Sequence, residues 1–224
     1  MLDKSSSRYN LAGKVKNMDV AIVYDNDAVG EFISGWGFSC YLKNKMKVLF
    51  DTGWDGEILL HNLELFGIDD LDLIVLSHQH WDHIGGLNHV ISMTSQVCVP
   101  ETFSPNLKRE IARKADLIVV RKQTHLGDCF YSTGVLGSRI PEQALVAKTL
   151  VVTGCSHPGL DKILSSAEKL GEINIVLGGF HDFDKIEILK KYKTVIPCHC
   201  TVLKEEMLKM PNTRRCYAGC FFEV

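Results

Sequence analysis

Short apolar runs rich in β-branched residues alternate along the chain with stretches in which apolar residues recur at helical spacing. The runs are Val20–Tyr24, Val48–Phe50, Leu73–Leu76, Leu117–Val120, Leu150–Val152, Ile173–Leu177 and Thr194–Ile196, and each has the length and residue types of a buried strand. The helical stretches between them are Glu57–Phe66, Ile84–Met93, Leu107–Ala115, Leu160–Leu170, Lys185–Tyr192 and Leu203–Met210. Strands alternating with helices predict an α/β fold with helices covering sheet faces. The segment from Cys129 to Ala147 is rich in Gly, Ser and Thr with little helical periodicity, and it predicts an antiparallel excursion and hence a mixed sheet. Residues 1–17 are polar and are expected to fray; no Pro-, Gly- or Ser-rich linker divides residues 18–224, which are expected to form one domain.

Four of the later runs end in the same manner. Leu76 leads into Ser77-His78-Gln79-His80-Trp81-Asp82-His83, and Val152 into Thr153-Gly154-Cys155-Ser156-His157. Leu177 leads into Gly178-Gly179-Phe180-His181, and Ile196 into Pro197-Cys198-His199-Cys200. Ligands of α/β folds bind at the carboxyl ends of strands, so four histidine-bearing strand ends predict one shared site.

The segment His78–His83 carries the sharpest chemistry. Residues two apart in an extended loop face the same way, so His78 and His80 reach one cation, while Asp82 and His83 open a helix and turn toward a neighbouring position. Gly85-Gly86 directly afterwards let that helix start pass close to other chain segments. Nitrogen and carboxylate donors suit one or two divalent transition metals, zinc first, with iron and manganese compatible. His157 and His199 are the expected further ligands, because four-coordinate binding needs donors beyond the first segment. His181 is read as a ligand, a proton donor to a leaving group, or a packing residue. Asp51 after Val48–Phe50 is either a carboxylate that orients a metal-bound imidazole or a turn residue. Cys155, two residues before His157, is either a buried small side chain or faces the site.

The remaining composition narrows the class. In 224 residues, 25 basic and 27 acidic side chains give a formal charge of −2, which excludes a basic nucleic-acid footprint, and no basic, aromatic-interleaved stretch is present. No apolar run approaches the roughly 20 residues of a membrane span, and MLDKSSSRYN lacks the apolar core of a secretory signal, so a cytoplasmic protein with a small-molecule substrate is expected. In a reducing compartment the eight cysteines would serve packing, metals or chemistry rather than disulfides. Their spacing does not repeat the CxxC of zinc ribbons.

His78, His80, Asp82 and His83 match the His-x-His-x-Asp-His motif of the metallo-β-lactamase superfamily, and Asp51 matches its earlier aspartate. The resemblance implies a four-layered αββα sandwich with mixed sheets and metals at one edge of two facing sheets. A narrower likeness runs over almost the whole chain. Gly37-Phe38-Ser39, Glu142-Gln143-Ala144-Leu145, Thr153 to Gly159, Gly178 to His181 and Cys198-His199-Cys200-Thr201 are similar to the group labelled 7,8-dihydropterin-6-yl-methyl-4-(β-D-ribofuranosyl)aminobenzene 5'-phosphate synthase.

The chain departs from the superfamily pattern in having no histidine between Gly134 and Gln143 and in replacing the bridging aspartate within Thr153–His157. His157 stands in its place, either on one metal or between two. Val202 replaces a glycine of the narrower group and is expected to narrow the pocket. The resemblance implies a metal-dependent hydrolase acting with a metal-activated water on a phosphoester, Asp82 orienting the nucleophile and His181 donating a proton. The alternative is a non-hydrolytic redox or ligand sensor using the same histidines with Cys155, Cys198 and Cys200.

Overall fold

A computed structural model describes residues 17–224, so all but the last residue of the expected frayed segment lies outside the described residues. The first sheet contains β1 (Asp19–Tyr24), β2 (Ser39–Lys43), β3 (Lys47–Phe50), β4 (Leu73–Val75), β5 (Gln96–Pro100), β6 (Asp116–Val120) and the C-terminal β13 (Phe221–Glu223). Its strand order is β13-β1-β2-β3-β4-β5-β6, antiparallel up to β3 and parallel from β3 to β6. The second sheet contains β7 (Thr124–Gly127), β8 (Phe130–Ser132), β9 (Leu145–Ala147), β10 (Leu150–Thr153), β11 (Ile175–Gly179) and β12 (Thr194–Cys198). Its order is β12-β11-β10-β9-β8-β7, with β10, β11 and β12 parallel and β7 to β10 a meander; β8 and β9 fall in the excursion expected from Cys129 to Ala147.

Most of the apolar runs are continuous because their strands are buried on both faces; β6, at the sheet edge, is the exception, with Val119 exposed. Val20, Ile22, Val48, Phe50, Leu73 and Val75 from the first sheet meet Leu150, Val152, Leu177 and Ile196 from the second in the central core. The intervening Ala21, Val23, Leu49 and Ile74 face an outer core with Leu59 and Leu63 of α1 (Gly56–Leu65), Leu87 and Val90 of α3 (Leu87–Val90) and Ile111 of α4 (Pro105–Ala112). On the other side, Val151 and Val176 pack on Leu160, Ile163 and Leu164 of α5 (Leu160–Ala167), Leu189, and Met207 of α6 (Lys204–Met207). Three cores separate four layers, helices outside and two mixed sheets within.

Local signals explain most boundaries. Asp55 caps α1 by accepting from the Glu57 and Ile58 amides, and Ser104 caps α4 ahead of Pro105. The helix expected over Ile84–Met93 is broken into α2 (Trp81–Ile84), α3 and a 3₁₀ turn, because Gly85 and Gly86 press against the backbone of Trp54 and Thr52, where a Cβ has no room. The helix expected over Lys185–Tyr192 is a 3₁₀ helix, Ile186–Lys191. Strands β2, β5, β7 and β13 were not expected. β2 and β5 are interrupted by Ser, Cys, Gln or Pro, and β13 is an edge strand with little burial.

Contrary to the expectation of reduced thiols, Cys198 and Cys216 are disulfide-bonded with Cα atoms 5.3 Å apart. Both are buried in the central core, and the bond ties the end of β12 to the C-terminal segment. Among the described residues no helix is long and apolar enough to cross a membrane.

Candidate metal centre

Parallel register brings the site together. Thr153 of β10, Gly178 of β11 and Pro197 of β12 lie side by side, so the segments leaving these strands carry His157, His181 and His199 to one edge. The segment leaving β4 brings His78, His80, Asp82 and His83 to the same edge from the first sheet. The imidazole of His78 lies 4.6 Å from that of His80, 4.3 Å from that of His83 and 4.9 Å from that of His157, measured between ring centroids. His80 and His157 are 5.0 Å apart, and His83 and His199 5.2 Å. All six residues expected as ligands therefore converge.

Each of three rings is anchored on its outward nitrogen. Nδ1 of His78 is 2.9 Å from Ser77 Oγ, Nδ1 of His83 is 2.7 Å from Asp51 Oδ2, and Nδ1 of His199 is 3.0 Å from Asn26 Oδ1. The free Nε2 atoms then point into the cluster. His83 Nε2 lies 3.1 Å from Cys155 Sγ, and His199 Nε2 3.1 Å from Asp82 Oδ2. Nε2 of His78 and of His157 are buried without any hydrogen-bond partner. Buried polar atoms are ordinarily paired, and two orphaned imidazole nitrogens on rings whose donor atoms group within 4.8 Å fit an electron-pair acceptor.

The supporting carboxylates divide the work. Asp51, read from sequence as an orienting or a turn residue, orients His83 while accepting from the Ser77 amide at 2.7 Å and the Ser77 hydroxyl at 2.7 Å. Glu142, fully buried, accepts from the amides of Gly154, Cys155 and Ser156 through Oε1 and of His157 through Oε2, at 2.9 to 3.1 Å. Next to it, Gln143 donates to Leu76 O at 2.8 Å and its amide to Ser77 O at 3.0 Å, which fixes the second sheet against the first at the site. Asp25 accepts from the His199 amide at 2.7 Å. Trp36 donates from Nε1 to Asp82 Oδ2 at 3.0 Å, and its ring lies 4.8 Å from His199.

Sequence reasoning gave no role to Glu142, Gln143, Asp25, Asn26 or Trp36. The first four act on backbone groups or on one another's neighbours far along the chain, and only the Glu142-Gln143 pair carried a signal, through the narrower likeness. Among the six described residues other than glycine with left-handed backbone, four belong to the site: Asp51, Ser156, His181 and His199. Strain concentrates where side chains must be aimed.

Electrostatics follow the geometry. Burial lowers His78 well below the ordinary imidazole range, with His83 and His157 adding to it, and burial with His181 and His80 brings His157 down to about 4. Burial opposes charge on His83 too, but Asp51 outweighs it and raises that ring. Burial would push the Asp82 carboxyl up, yet His199 and His83 hold it well below the usual carboxylate range. Burial also pushes Glu142 up against its amide bonds. The Cys155 thiol is raised by the Cys200 thiol beside it and by burial.

The other expected residues lie as follows. His181 is at the rim, its side chain 43% exposed, its ring 4.9 Å from His157 and its Nδ1 3.1 Å from Asp182 Oδ1. Cys155 is buried and faces the cluster. Cys198 is in the disulfide and Cys200 is half-buried and free. Val202, expected to narrow the pocket, is exposed, as are Trp36, Trp54 and Trp81.

Residues 39–95 match the model of the metallo-beta-lactamase superfamily. The chain is 28% identical to 7,8-dihydropterin-6-methyl-4-(beta-D-ribofuranosyl)-aminobenzene-5'-phosphate synthase of Methanocaldococcus jannaschii, over 78% of this chain and 83% of that protein. It is 29% identical to the uncharacterized protein MJ0448 of the same organism, over 83% of this chain and 91% of that one. The crystal structure of Tm1679, a metal-dependent hydrolase of the beta-lactamase superfamily, superposes with a TM-score of 0.72 at 28% identity, covering 92% of this chain and 99% of that chain. The likeness read from the motif residues thus holds for the motif segment, for the length of the relatives and for the fold.

Proposed function

We propose that this protein is a metal-dependent hydrolase of small phosphoesters, and that residues 18–224 act as the one domain that carries the activity. His78, His80 and His157 would hold one divalent transition metal, and Asp82, His83 and His199 a second. The observation that carries this reading is the convergence of imidazole nitrogens, with Nε2 of His78 and His157 buried and unpaired while the opposite nitrogens of His78, His83 and His199 are tied back. Buried Asp51 and Glu142 and half-buried Asp82 supply negative charge around the cluster, which a cation would offset.

The bound metal would supply a Lewis acid and ionise water near neutral pH. The rest falls to the chain. Asp82, fixed through Oδ2 by Trp36 and His199, directs the nucleophile. Its carboxyl stays ionised, so it accepts rather than donates. His181 stands at the rim, where it meets a departing group and serves as its proton donor. Hydrolysis is favoured by the metal-dependent hydrolase with the same fold, and a phosphoester by the relative named for a 5'-phosphate. Of the thiols the sensor alternative would use, Cys198 is tied to Cys216 and so presents no free thiol to a metal.

The test is elemental analysis of protein purified without added metal and after reconstitution with zinc, iron or manganese, together with hydrolysis of bis(p-nitrophenyl) phosphate. Bound metal, metal-dependent hydrolysis, and loss of both in the His78→Ala, His80→Ala double variant are expected. Protein that takes up no metal after reconstitution would overturn the proposal.

A further inference from the structure

Cys155 is the one donor that the two nitrogen sets have in common. Its Sγ groups with donor atoms of Asp82, His83 and His199 on one side and with those of His78 and His157 on the other, all within 4.8 Å of one another in each group. Resting on the metal centre proposed above, we infer that Cys155 is a thiolate ligand shared between the two positions, where the superfamily pattern places a carboxylate.

The fold aims this sulfur. Glu142 takes up the amides of Gly154, Cys155, Ser156 and His157, which holds in place the segment from which Cys155 Sγ faces the cluster. Ser156, held in the left-handed region, completes the turn between Cys155 and His157. On the far side His83 Nε2 comes to 3.1 Å from Sγ, and the opposite nitrogen of that ring is committed to Asp51. The ring therefore cannot rotate away from the sulfur without breaking a buried bond.

A thiol placed for packing alone has apolar neighbours. Cys155 has instead His78, His83, His157, His199 and Asp82 around it, and it belongs to none of the three apolar cores. Cys200 is the adjacent free thiol. It packs where a Cβ on Gly179 would stand 2.7 Å from its Sγ and 3.3 Å from the Cys155 Cα, so glycine at 179 is what lets the two cysteines approach. Cys200 donates its S–H to the backbone carbonyl of Cys155 at 4.0 Å and belongs to neither donor group.

Binding is an exchange of a proton for a metal bond. The Cys155 S–H bond breaks, its electron pair goes to the metal, and the proton leaves to solvent, with no change of oxidation state. A shared thiolate has a consequence for metal choice. Soft sulfur favours zinc or iron, whereas manganese prefers carboxylate and water ligands, so the first two are selected here.

Cobalt(II) titration tests the assignment without relying on activity. Metal-free protein loaded with cobalt should show an intense near-ultraviolet thiolate-to-cobalt absorption that grows with both the first and the second equivalent. The band should be lost in Cys155→Ser and in Cys155→Asp, the latter still taking up cobalt, and kept in Cys200→Ser. Cobalt-loaded wild-type protein without the band, a band that survives in Cys155→Ser, or one that saturates at the first equivalent would overturn the shared-ligand assignment while leaving the metal centre standing. Protein that binds no cobalt at all would overturn the centre, and this inference with it.

Discussion

The two halves of the site are built by different means. The half from the first sheet, His78 to His83, arrives within a single turn of chain, and its rings are set by side chains: Ser77 on His78 and Asp51 on His83. The half from the second sheet arrives from separate strand ends. Its segments are set by carboxylates that grip backbone amides, Glu142 on residues 154–157 and Asp25 on His199. A locally encoded half needs only its rings oriented, whereas a half gathered from three strands needs its chain held as well. Gln143 then joins the halves at Leu76 and Ser77.

The largest effect should come from removing the grip on the second half. Glu142→Ala leaves four amides in a buried region without an acceptor, and breaking a buried charged network of this kind costs about 3–5 kcal/mol. The midpoint of urea unfolding should fall accordingly. The variant, if still folded, should lose the metal position that needs His157. Glu142→Gln keeps one acceptor oxygen and should fall between the two. A Glu142→Ala protein with unchanged stability would mean that the amides find other partners and that the second half is not held in this way.

That asymmetry also explains what was legible in the sequence. The first half is a dense run of donors, His78, His80, Asp82 and His83, and could be read from spacing alone. His157 and His199 were visible only as residues following apolar runs, because parallel pairing of β10, β11 and β12, not sequence distance, brings them together. Glu142 lies in the Gly- and Ser-rich stretch read as an antiparallel excursion, and its partners are main-chain groups that carry no residue signal. The layers were legible because doubly buried strands keep unbroken apolar runs. Strands β2, β5 and β13 were not, since Ser39, Cys40, Gln96 and Pro100 interrupt the pattern and Phe221–Glu223 lies on an edge.

The rim histidine tests whether the second half supplies chemistry as well as binding. His181→Ala should leave metal content unchanged and slow hydrolysis of esters with poor leaving groups by about 10²- to 10⁴-fold, the usual contribution of a placed proton donor. Nitrophenyl esters, whose leaving groups need little protonation, should be affected far less. Loss of metal in this variant would make His181 a ligand instead.

A smaller effect is expected from the orienting partners. Asp51→Asn puts an amide N–H toward His83 Nδ1, disturbing the tautomer that leaves Nε2 free, and should weaken metal binding by roughly 10- to 100-fold. Asn26→Ala on the His199 side should cost less, because the Asp25 contact to the His199 amide still places that residue. Competitive titration against a chelator dye would rank the two. Equal losses would mean that the two halves depend on their ring partners alike.

The smallest effect concerns protons in metal-free protein. His157, lowered to about 4 chiefly by burial, and His78, lowered well below 6.5 by burial, are both held neutral in the folded state, while an unfolded histidine titrates near 6.5. The unfolded chain therefore binds more protons below pH 6.5, and the stability these two residues contribute is complete above that pH and lost as pH falls toward their folded values. His83 acts in the opposite sense. Asp51 raises it, so its contribution is present below pH 6.5 and is lost as pH rises through its folded value. His80 and His199 are lowered by burial as well, so with four rings against one the melting temperature of chelator-treated protein should fall between pH 6.5 and 4. The slope should be shallower in His157→Asn, which cannot titrate, and steeper in Asp51→Asn, where the opposing contribution of His83 is removed. A slope indifferent to His157→Asn would show that the second-sheet half does not hold its imidazole in the neutral form that a metal requires.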